Sequence, residues 1–182
     1  HAGMSAKSPA FELNTSEDNM SVTETDELIT IASGDLSLEI TKLPWSMTYK
    51  HKGRVLSKSG RKDLALMKTD WKGYAYDNGD YTDTYIRQQL SMGVGELLYG
   101  FGERFTPFVK NGQSIDIFNQ DGGTSTEQSY KNIPFYVSNK GYGVFVNHPE
   151  KVSFEVGTEM VTKAEFSVEG SYLDYFFIDG PS

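Results

Sequence analysis

Carboxylate, amide and hydroxyl side chains crowd one polar segment in the middle of the chain, NQDGGTSTEQSYKN from Asn119 to Asn132. Groups of this kind bind the hydroxyls of a sugar by donating and accepting hydrogen bonds. A loop of more than about 12 residues within a compact domain is often functional. A solvated loop tip would contain the same residue types, so the segment by itself leaves a sugar-binding loop and an ordinary surface loop open.

Two carboxylates of this segment, Asp121 and Glu127, are candidates for the pair that cleaves a glycoside. A retaining glycosidase needs one protonated acid and one carboxylate about 5–5.5 Å apart. The short stretch between the two residues could bring them together, but nothing in the sequence indicates that the pKa of either carboxyl is raised. We therefore do not assign catalysis to this pair.

A second acidic stretch, from Asp77 to Asp83, places oxygen donors around a glycine and could bind calcium. The spacing of an EF-hand loop, with its bidentate Glu at the end, is missing. Asn78-Gly79 is instead a dipeptide that strongly favours a tight β-hairpin turn. The sequence therefore predicts a hairpin here and no metal site.

The glycine-rich stretch from Gly100 to Phe105 could in principle approach a phosphate group. It lacks the third glycine and the following helix that a dinucleotide-binding loop requires. Its residues favour a sharp bend in which Glu103 and Arg104 pair locally or cap groups of a neighbouring loop.

The charge balance limits the class of partner. The chain has 25 acidic and 17 basic residues and a net charge of −8. A negative protein is repelled by phosphate backbones and by anionic membrane surfaces, so the sequence disfavours both nucleic acid and membrane partners. No apolar run is long enough for a membrane-spanning helix. A neutral sugar is compatible with this charge.

Cysteine is absent, which excludes disulfides, thiolate catalysis and cysteine-bound metals. Of the three histidines, His1 belongs to a His-Ala-Gly start that resembles a vector remnant, and the other two cannot form a three-histidine zinc site. We expect no cofactor and no metal. The lack of cysteines and of an apolar signal-peptide core leads us to expect a cytoplasmic protein.

β-Strands are the elements that must position these groups. Apolar and polar residues alternate at residues 28–31, 36–40, 115–117, 133–137 and 152–156. Successive strand side chains point to opposite faces, so this pattern is typical of strands buried on one side. Many of the 18 glycines lie at turn signals between these stretches.

The sequence therefore predicts an all-β fold, a two-sheet antiparallel β-sandwich of about a dozen strands. We expect a loose N-terminal arm over residues 1–26 and one sandwich domain over residues 27–182. Aromatic side chains should fill its core. The ones that we place inside are Phe135, Phe145, Phe154, Phe166 and Phe176.

Four motifs then occur in a fixed order: YGFGERF at 99–105, NQDGGTSTEQSYKNIPFY at 119–136, GYGVFVNHPE at 141–150 and FFIDGP at 176–181. In this order they resemble the N-terminal β-sandwich of glycoside hydrolase family 31, in its α-xylosidase branch. The resemblance covers residues 99–182 closely and residues 28–98 only in pattern. It implies a sandwich of the galactose-mutarotase-like (supersandwich) type.

The resemblance also implies a function. In this family the sandwich precedes a (β/α)₈ barrel that contains both catalytic aspartates, so this chain would contain no catalytic residue. One loop of the sandwich borders the substrate pocket, and it matches residues 119–132 here. Asp121 and Thr124 match the pocket-lining positions, and Glu103 and Arg104 match the segment that supports the loop.

The implied parent enzyme hydrolyses terminal α-linked xylose with retention and without a cofactor. Its partners would be the barrel of the same chain and an α-xyloside or related oligosaccharide. Because members of the family often assemble into oligomers, the resemblance also implies a homo-oligomeric parent. One alternative is a stand-alone carbohydrate-binding module with Trp45, Trp71 and exposed tyrosines as its platform. Another is a mutarotase-like epimerase using His148, which the turn-like sequence Asn147-His148-Pro149-Glu150 disfavours.

Overall fold

A computed structural model describes residues 11–12, 20–72, 80–118 and 131–180. The described residues form strands and no helix, which confirms the all-β prediction. The strands are β1 (Met20–Glu24), β2 (Leu28–Ser33), β3 (Leu36–Thr41), β4 (Ser46–His51), β5 (Arg54–Ser59), β6 (Leu64–Lys72), β7 (Asp80–Ser91), β8 (Leu98–Gly102), β9 (Gln113–Ile117), β10 (Asn132–Ser138), β11 (Tyr142–Val146), β12 (Val152–Val156), β13 (Lys163–Glu169) and β14 (Tyr175–Asp179). Within these ranges, no helix is long and apolar enough to cross a membrane.

Hydrogen bonding divides these strands into three antiparallel sheets, where the sequence led us to expect two. The N-terminal sheet has the order β1-β2-β3-β4-β5, so it is a simple meander. The four-stranded sheet has the order β14-β11-β10-β8, and the β7 sheet has the order β6-β7-β13-β12-β9. The long β7 strand lies beside β5, and Ser57 Oγ donates to the Ser91 carbonyl oxygen at 2.8 Å, which joins the first and last of these sheets.

The main core lies between the four-stranded sheet and the β7 sheet. Phe101 packs edge-on against Phe154 with ring centroids 4.8 Å apart, and Tyr136 packs edge-on against the same ring. Phe154 and Phe166 are buried as predicted. The N-terminal sheet joins this core through Tyr49, whose ring stacks on Phe177 at 3.9 Å.

The prediction that Phe135, Phe145 and Phe176 lie inside is wrong. These three residues are paired across β10, β11 and β14 and point to the outer face of the four-stranded sheet. The inner face of the same strands has Tyr136, Val144 and Phe177. Strands β10, β11 and β14 are apolar on both faces, and the alternation at residues 133–137 marks the outer face of β10, because Ile133 and Val137 are exposed while Tyr136 is buried.

The predicted N-terminal arm contains regular structure at its end. Residues 20–24 form β1, which pairs in register with β2, and all five of its residues are exposed. Further toward the N-terminus, Phe11 packs against Phe145 at 5.8 Å. Asn147 donates to the Phe11 carbonyl oxygen and accepts from the Phe11 amide, so one side chain binds this piece of backbone as a strand would.

Candidate functional site

The predicted pocket loop connects β9 to β10. Asp121, Thr124 and Glu127 lie outside the described residues, so the two ends of the loop define the site. These ends are Phe118, directly after β9, and Lys131, directly before β10. The groups that hold them determine where the loop emerges from the sandwich.

An unusual backbone in β8 lies beside the second of these ends. Gly100, Phe101 and Gly102 have φ angles of 120°, 69° and 83°, so three consecutive residues lie on the positive side. A positive φ is rare for residues other than glycine because it costs conformational energy. Such a residue is retained only where the surrounding structure holds it in place. Here Phe101 is fully buried among Phe154 and Tyr136, and this core packing holds the strained residue in place.

Both glycines of this segment are required by close contacts. A β-carbon on Gly102 would lie 1.9 Å from the carbonyl oxygen of Lys131, and one on Gly100 would lie 2.7 Å from that of Phe135. Only glycine lets the two backbones approach so closely. The amide of Glu103 donates to the same Lys131 oxygen at 3.0 Å.

The partner strand β10 bulges opposite this segment. Asn132 pairs with Gly102 and Tyr136 pairs with Gly100, so β10 advances four residues where β8 advances two. Pro134 lies within the bulge, where its missing N–H costs no ladder bond. Bulges of this kind re-aim a strand end, and this one lies directly at the end of the loop.

Arg104 binds both ends of the loop. Its Nη2 donates to the carbonyl oxygen of Asp116 in β9 at 2.5 Å and to Asn132 Oδ1 in β10 at 2.7 Å. Asn132 Nδ2 in turn donates to the carbonyl oxygen of Phe118 at 3.1 Å. One guanidinium and one amide thus connect the strand that enters the loop to the strand that leaves it.

Glu103 makes a weaker contact at the same place. Lys131 Nζ donates to Glu103 Oε1 at 2.9 Å, but both side chains are about 70% exposed, so water screens the pair. The sequence predicts that Glu103 and Arg104 either pair with each other or bind groups of a neighbouring loop. The structure shows hydrogen bonds of both residues to groups at the ends of the loop.

The Asp116 carboxylate adds charge near the entry strand. Partial burial raises the pKa of Asp116, but hydrogen bonds from Lys151 and Ser153 and the positive charges of Lys151 and Arg104 outweigh it and lower the pKa overall. Lys151 Nζ lies 2.6 Å from Asp116 Oδ2. The carboxylate therefore remains ionised and helps to fix the β9 end of the loop.

A cavity of about 250 Å³ opens at the foot of the loop. Its lining residues are Phe11, Ile117, Phe118, Asn132, Pro134, His148, Pro149 and Glu150. His148 is buried, and its Nδ1 accepts a bond from the Glu150 amide at 3.3 Å, so the ring closes the turn after β11. The cavity does bring an imidazole and a carboxylate together, as the epimerase hypothesis needs, but Nδ1 of that imidazole is engaged with the backbone.

A buried acidic residue that sequence reasoning missed, Glu96, lies in the turn just before β8. Glu96 Oε1 accepts from Ser138 Oγ and from the Tyr142 hydroxyl, each at 2.6 Å, and Oε2 accepts from the Gly93 amide at 2.7 Å. Burial first, and then the Glu96 charge, raise the pKa of the Tyr142 phenol. The glycines on both sides of Val94 indicate a tight turn, but no local pattern in the sequence indicates the partners of Glu96.

The other candidates of the sequence behave as structural elements or lie outside the described residues. Strands β6 and β7 pair antiparallel up to Lys72 and Asp80, as the hairpin interpretation requires, and residues 73–79 between them are not described. In the part of the chain that the structure describes, no three acidic or histidine side chains cluster as a metal site would need. Trp45 is half-buried in the β3–β4 turn, and the side chain of Trp71 is outside the description.

Comparison with known proteins shows what the chain is similar to. Residues 2–155 match the family described as glycosyl hydrolase 31 N-terminal galactose mutarotase-like domain. The whole chain is 43% identical to alpha-xylosidase XylQ of Lactiplantibacillus pentosus, and 98% of it is 44% identical to an alpha-xylosidase of Emericella nidulans. The chain spans only 23% and 24% of these two relatives.

Solved structures share the fold at lower identity. A cycloalternan-forming enzyme from Listeria monocytogenes superposes with a TM-score of 0.76 at 24% identity, over 93% of this chain and 16% of that enzyme. A GH31 alpha-xylosidase from a soil metagenome superposes with a TM-score of 0.73 at 14% identity, over 99% of this chain and 27% of that one. In each case the sandwich is a small part of a much longer chain.

Proposed function

The chain belongs to the glycosyl hydrolase 31 N-terminal galactose mutarotase-like domain family, and from this premise we propose that it is the non-catalytic front domain of a retaining α-glycosidase. The proposed parent reaction is hydrolysis of a terminal α-linked xylose, because relatives at 43% and 44% identity are named alpha-xylosidases. The domain would supply the loop 119–132 to the substrate pocket and pack on the catalytic barrel of the same chain.

The observation that supports the loop's role best is the bracing of its two ends by Arg104. Substrate-positioning groups contribute to catalysis only when they are held close to the productive geometry. A polar loop with no function would gain little from a bulge, two obligatory glycines and a guanidinium that bridges two strands. Asp121 would touch substrate or border the pocket, with Thr124 beside it, and Glu103 and Arg104 would support the loop.

The proposal is tested in a full-length chain. The 182 residues replace the matched segment of XylQ, and hydrolysis of an aryl α-xyloside is measured. We expect the chimera to hydrolyse the xyloside and the 182-residue chain alone to show no turnover, because both catalytic aspartates would lie in the barrel. Turnover by the 182-residue chain that Asp121→Ala abolishes would contradict a non-catalytic role.

The alternative function, a carbohydrate-binding module, is tested by a binding titration of the 182-residue chain. If the 182-residue chain alone titrates xylo-oligosaccharides in the micromolar range, the sandwich has a complete sugar site of its own. Weak or absent binding is expected instead, because the loop would form only one wall of a pocket that the barrel completes.

A further inference from the structure

The two outer faces of the sandwich differ sharply in chemistry. On strands β7, β13, β12 and β9 of the β7 sheet the outward positions are mainly polar, namely Arg87, Gln89, Ser114, Asp116, Ser153, Glu155, Glu165 and Ser167, and Tyr85 is an aromatic exception. On the four-stranded sheet the outward positions are apolar, namely Tyr99, Phe135, Val137, Phe145, Phe176 and Ile178. We call this second set the outer aromatic face.

Antiparallel sheets with one face in water alternate apolar-in and polar-out, and the β7 sheet does so. A sheet that is apolar on both faces is covered on both faces in the assembled protein. The four strands of the outer aromatic face are spaced about 4.8 Å apart, so they present an apolar strip about 14 Å wide. Val137 and Ile178 of this face are exposed and its four rings are half-buried, and a contiguous apolar surface that is still open to water marks an interaction site.

The rings of this face are already ordered against each other. Phe145 packs on Phe176 at 6.2 Å, and the Phe135 ring covers Gly143, where a β-carbon would lie 2.8 Å from it. At one border Tyr99 meets the exposed Phe108 at 5.0 Å. At the other border Phe11 packs on Phe145, so the face already receives one apolar side chain from outside the sheet.

The position of β14 indicates the occupant. This strand is the edge of the four-stranded sheet, and it contributes Phe176 and Ile178 to the outer aromatic face. The family is an N-terminal domain, and the matched segment is about a quarter of each alpha-xylosidase relative. Because the family is an N-terminal domain, most of each relative's chain follows the matched segment, and β14 is the last strand that this segment forms here.

We propose that the outer aromatic face is the surface on which the catalytic domain docks. The inference rests on the proposed function, because it takes the following domain as the partner. It goes further by assigning the interface to one face of one sheet and by leaving the polar outer face of the β7 sheet in water. Fully desolvated aromatic side chains are the residues that dominate such interfaces.

The absence of cysteine from the sequence allows a direct test. Ile178→Cys and Val137→Cys place a thiol on the outer aromatic face, and Val55→Cys on β5 is the matched control. Ile178 is 44% exposed, Val137 is 40% exposed and Val55 is 43% exposed, so an undocked domain would label at all three sites alike. Each variant is made in the XylQ chimera and in the 182-residue chain, and maleimide labelling of the native protein is followed at that peptide by mass spectrometry.

We expect the thiols at 178 and 137 to react at least about tenfold more slowly in the chimera than in the 182-residue chain, because an interface core excludes water. The thiol at 55 should react at the same rate in both. Equal rates at all three sites in a chimera that hydrolyses the aryl α-xyloside would overturn the docking assignment and leave the proposed function intact. A chimera whose control thiol and fold are normal but which has no activity would count against the proposed function instead.

Protection that is already present in the 182-residue chain would also overturn the assignment. Dependence of that protection on protein concentration would indicate a second copy of the chain as the occupant. Protection that is lost when residues 1–12 are removed would indicate the chain's own N-terminal segment.

Discussion

The carbonyl oxygen of Lys131 lies where a side chain on Gly102 would begin, since a β-carbon at that position would be 1.9 Å from it. Gly53 offers a matched control, because its φ of 81° is close to the 83° of Gly102 but a β-carbon on Gly53 would have no atom within 4 Å. Gly53→Ala should lower the free energy of unfolding by about 1–2 kcal/mol, which is the cost of the left-handed backbone alone.

Gly102→Ala should cost about 1–3 kcal/mol more than Gly53→Ala, because the Lys131 carbonyl must move as well. Urea unfolding of the two variants measures the difference. Equal losses of stability would mean that β10 gives way easily and that the approach of the two backbones is not required.

Arg104 is expected to affect both stability and activity. Arg104→Met removes the bonds to Asp116 and Asn132 and should lower the free energy of unfolding by about 2 kcal/mol. In the XylQ chimera it should also lower kcat/KM for an aryl α-xyloside by about tenfold or more, because the loop end is no longer fixed. Steady-state kinetics and urea unfolding of the same preparation provide both values.

Arg54→Met is the control for Arg104, because Arg54 is exposed and makes one longer bond to the Lys140 carbonyl oxygen at 3.2 Å. It should change stability by no more than about 0.5 kcal/mol and leave kinetics unchanged. If Arg104→Met weakened the fold but kept the full kcat/KM, Arg104 would be a structural residue without influence on the loop.

Neutralising Glu96 is expected to lower the free energy of unfolding more than neutralising Glu103. A glutamine has one acceptor oxygen, so it cannot satisfy the Gly93 amide and the two hydroxyls as the carboxylate does. Glu96→Gln should therefore lower the free energy of unfolding by about 2–3 kcal/mol. Glu103→Gln, at an exposed pair, should cost less than about 1 kcal/mol. Similar losses for both variants would mean that the Glu96 network is dispensable.

The strands were predictable from the sequence because their signal is local. The alternation at 36–40 and 152–156 places one side chain after another on opposite faces, and β3 and β12 form there. The outward direction of Phe135, Phe145 and Phe176 was not predictable, because their strands have apolar residues on both faces and the alternation at 133–137 marks the outer one. β1 has no buried residue at all, and its short alternation of Met20 and Val22 with polar residues lies at the end of a polar stretch that is typical of a loose arm.

The site was predictable only in part. The resemblance pointed to Glu103 and Arg104, and both make contacts to groups at the ends of the loop. Their partners Asp116, Lys131 and Asn132 are distant in sequence, so no local pattern joins them. The positive φ of Phe101 and the partners of Glu96 likewise arise only when β8 and β10 come together.

Buried phenols should make the protein sensitive to alkali. Burial, followed by the Glu96 charge, raises the pKa of Tyr142, and burial, followed by the neighbouring Tyr49, raises the pKa of Tyr175. A raised folded pKa contributes stability that is fully present below the unfolded value of 10.0 and is lost as the pH rises above it. Stability should therefore be insensitive to these groups near neutral pH and fall steeply above pH 10.

Tyr142→Phe removes one such proton, so the slope of stability against pH should become shallower by about 1.4 kcal/mol per pH unit in that range. Urea unfolding at a series of pH values measures the slope, independently of any constant loss from the missing bond to Glu96. The exposed Tyr172 changed to Phe is the matched control, because it removes a phenol and leaves the bond from Tyr142 to Glu96 in place. An unaltered slope in Tyr142→Phe would show that this phenol ionises equally well in the folded protein.

Asp121 tests the role of the loop itself, since the residue lies in the segment whose two ends Arg104 and Asn132 hold. If its carboxylate binds substrate, Asp121→Ala in the XylQ chimera should lower kcat/KM by about tenfold or more, as expected for the loss of a charged hydrogen bond to substrate. The melting temperature should stay nearly unchanged, because a group that contacts substrate contributes little to the fold.

Thr124→Ala is the companion variant, and a smaller loss of kcat/KM is expected for a neutral hydroxyl. A large fall in melting temperature for Asp121→Ala would instead make Asp121 a turn-forming residue, and the loop would then act through its shape and not through that carboxylate.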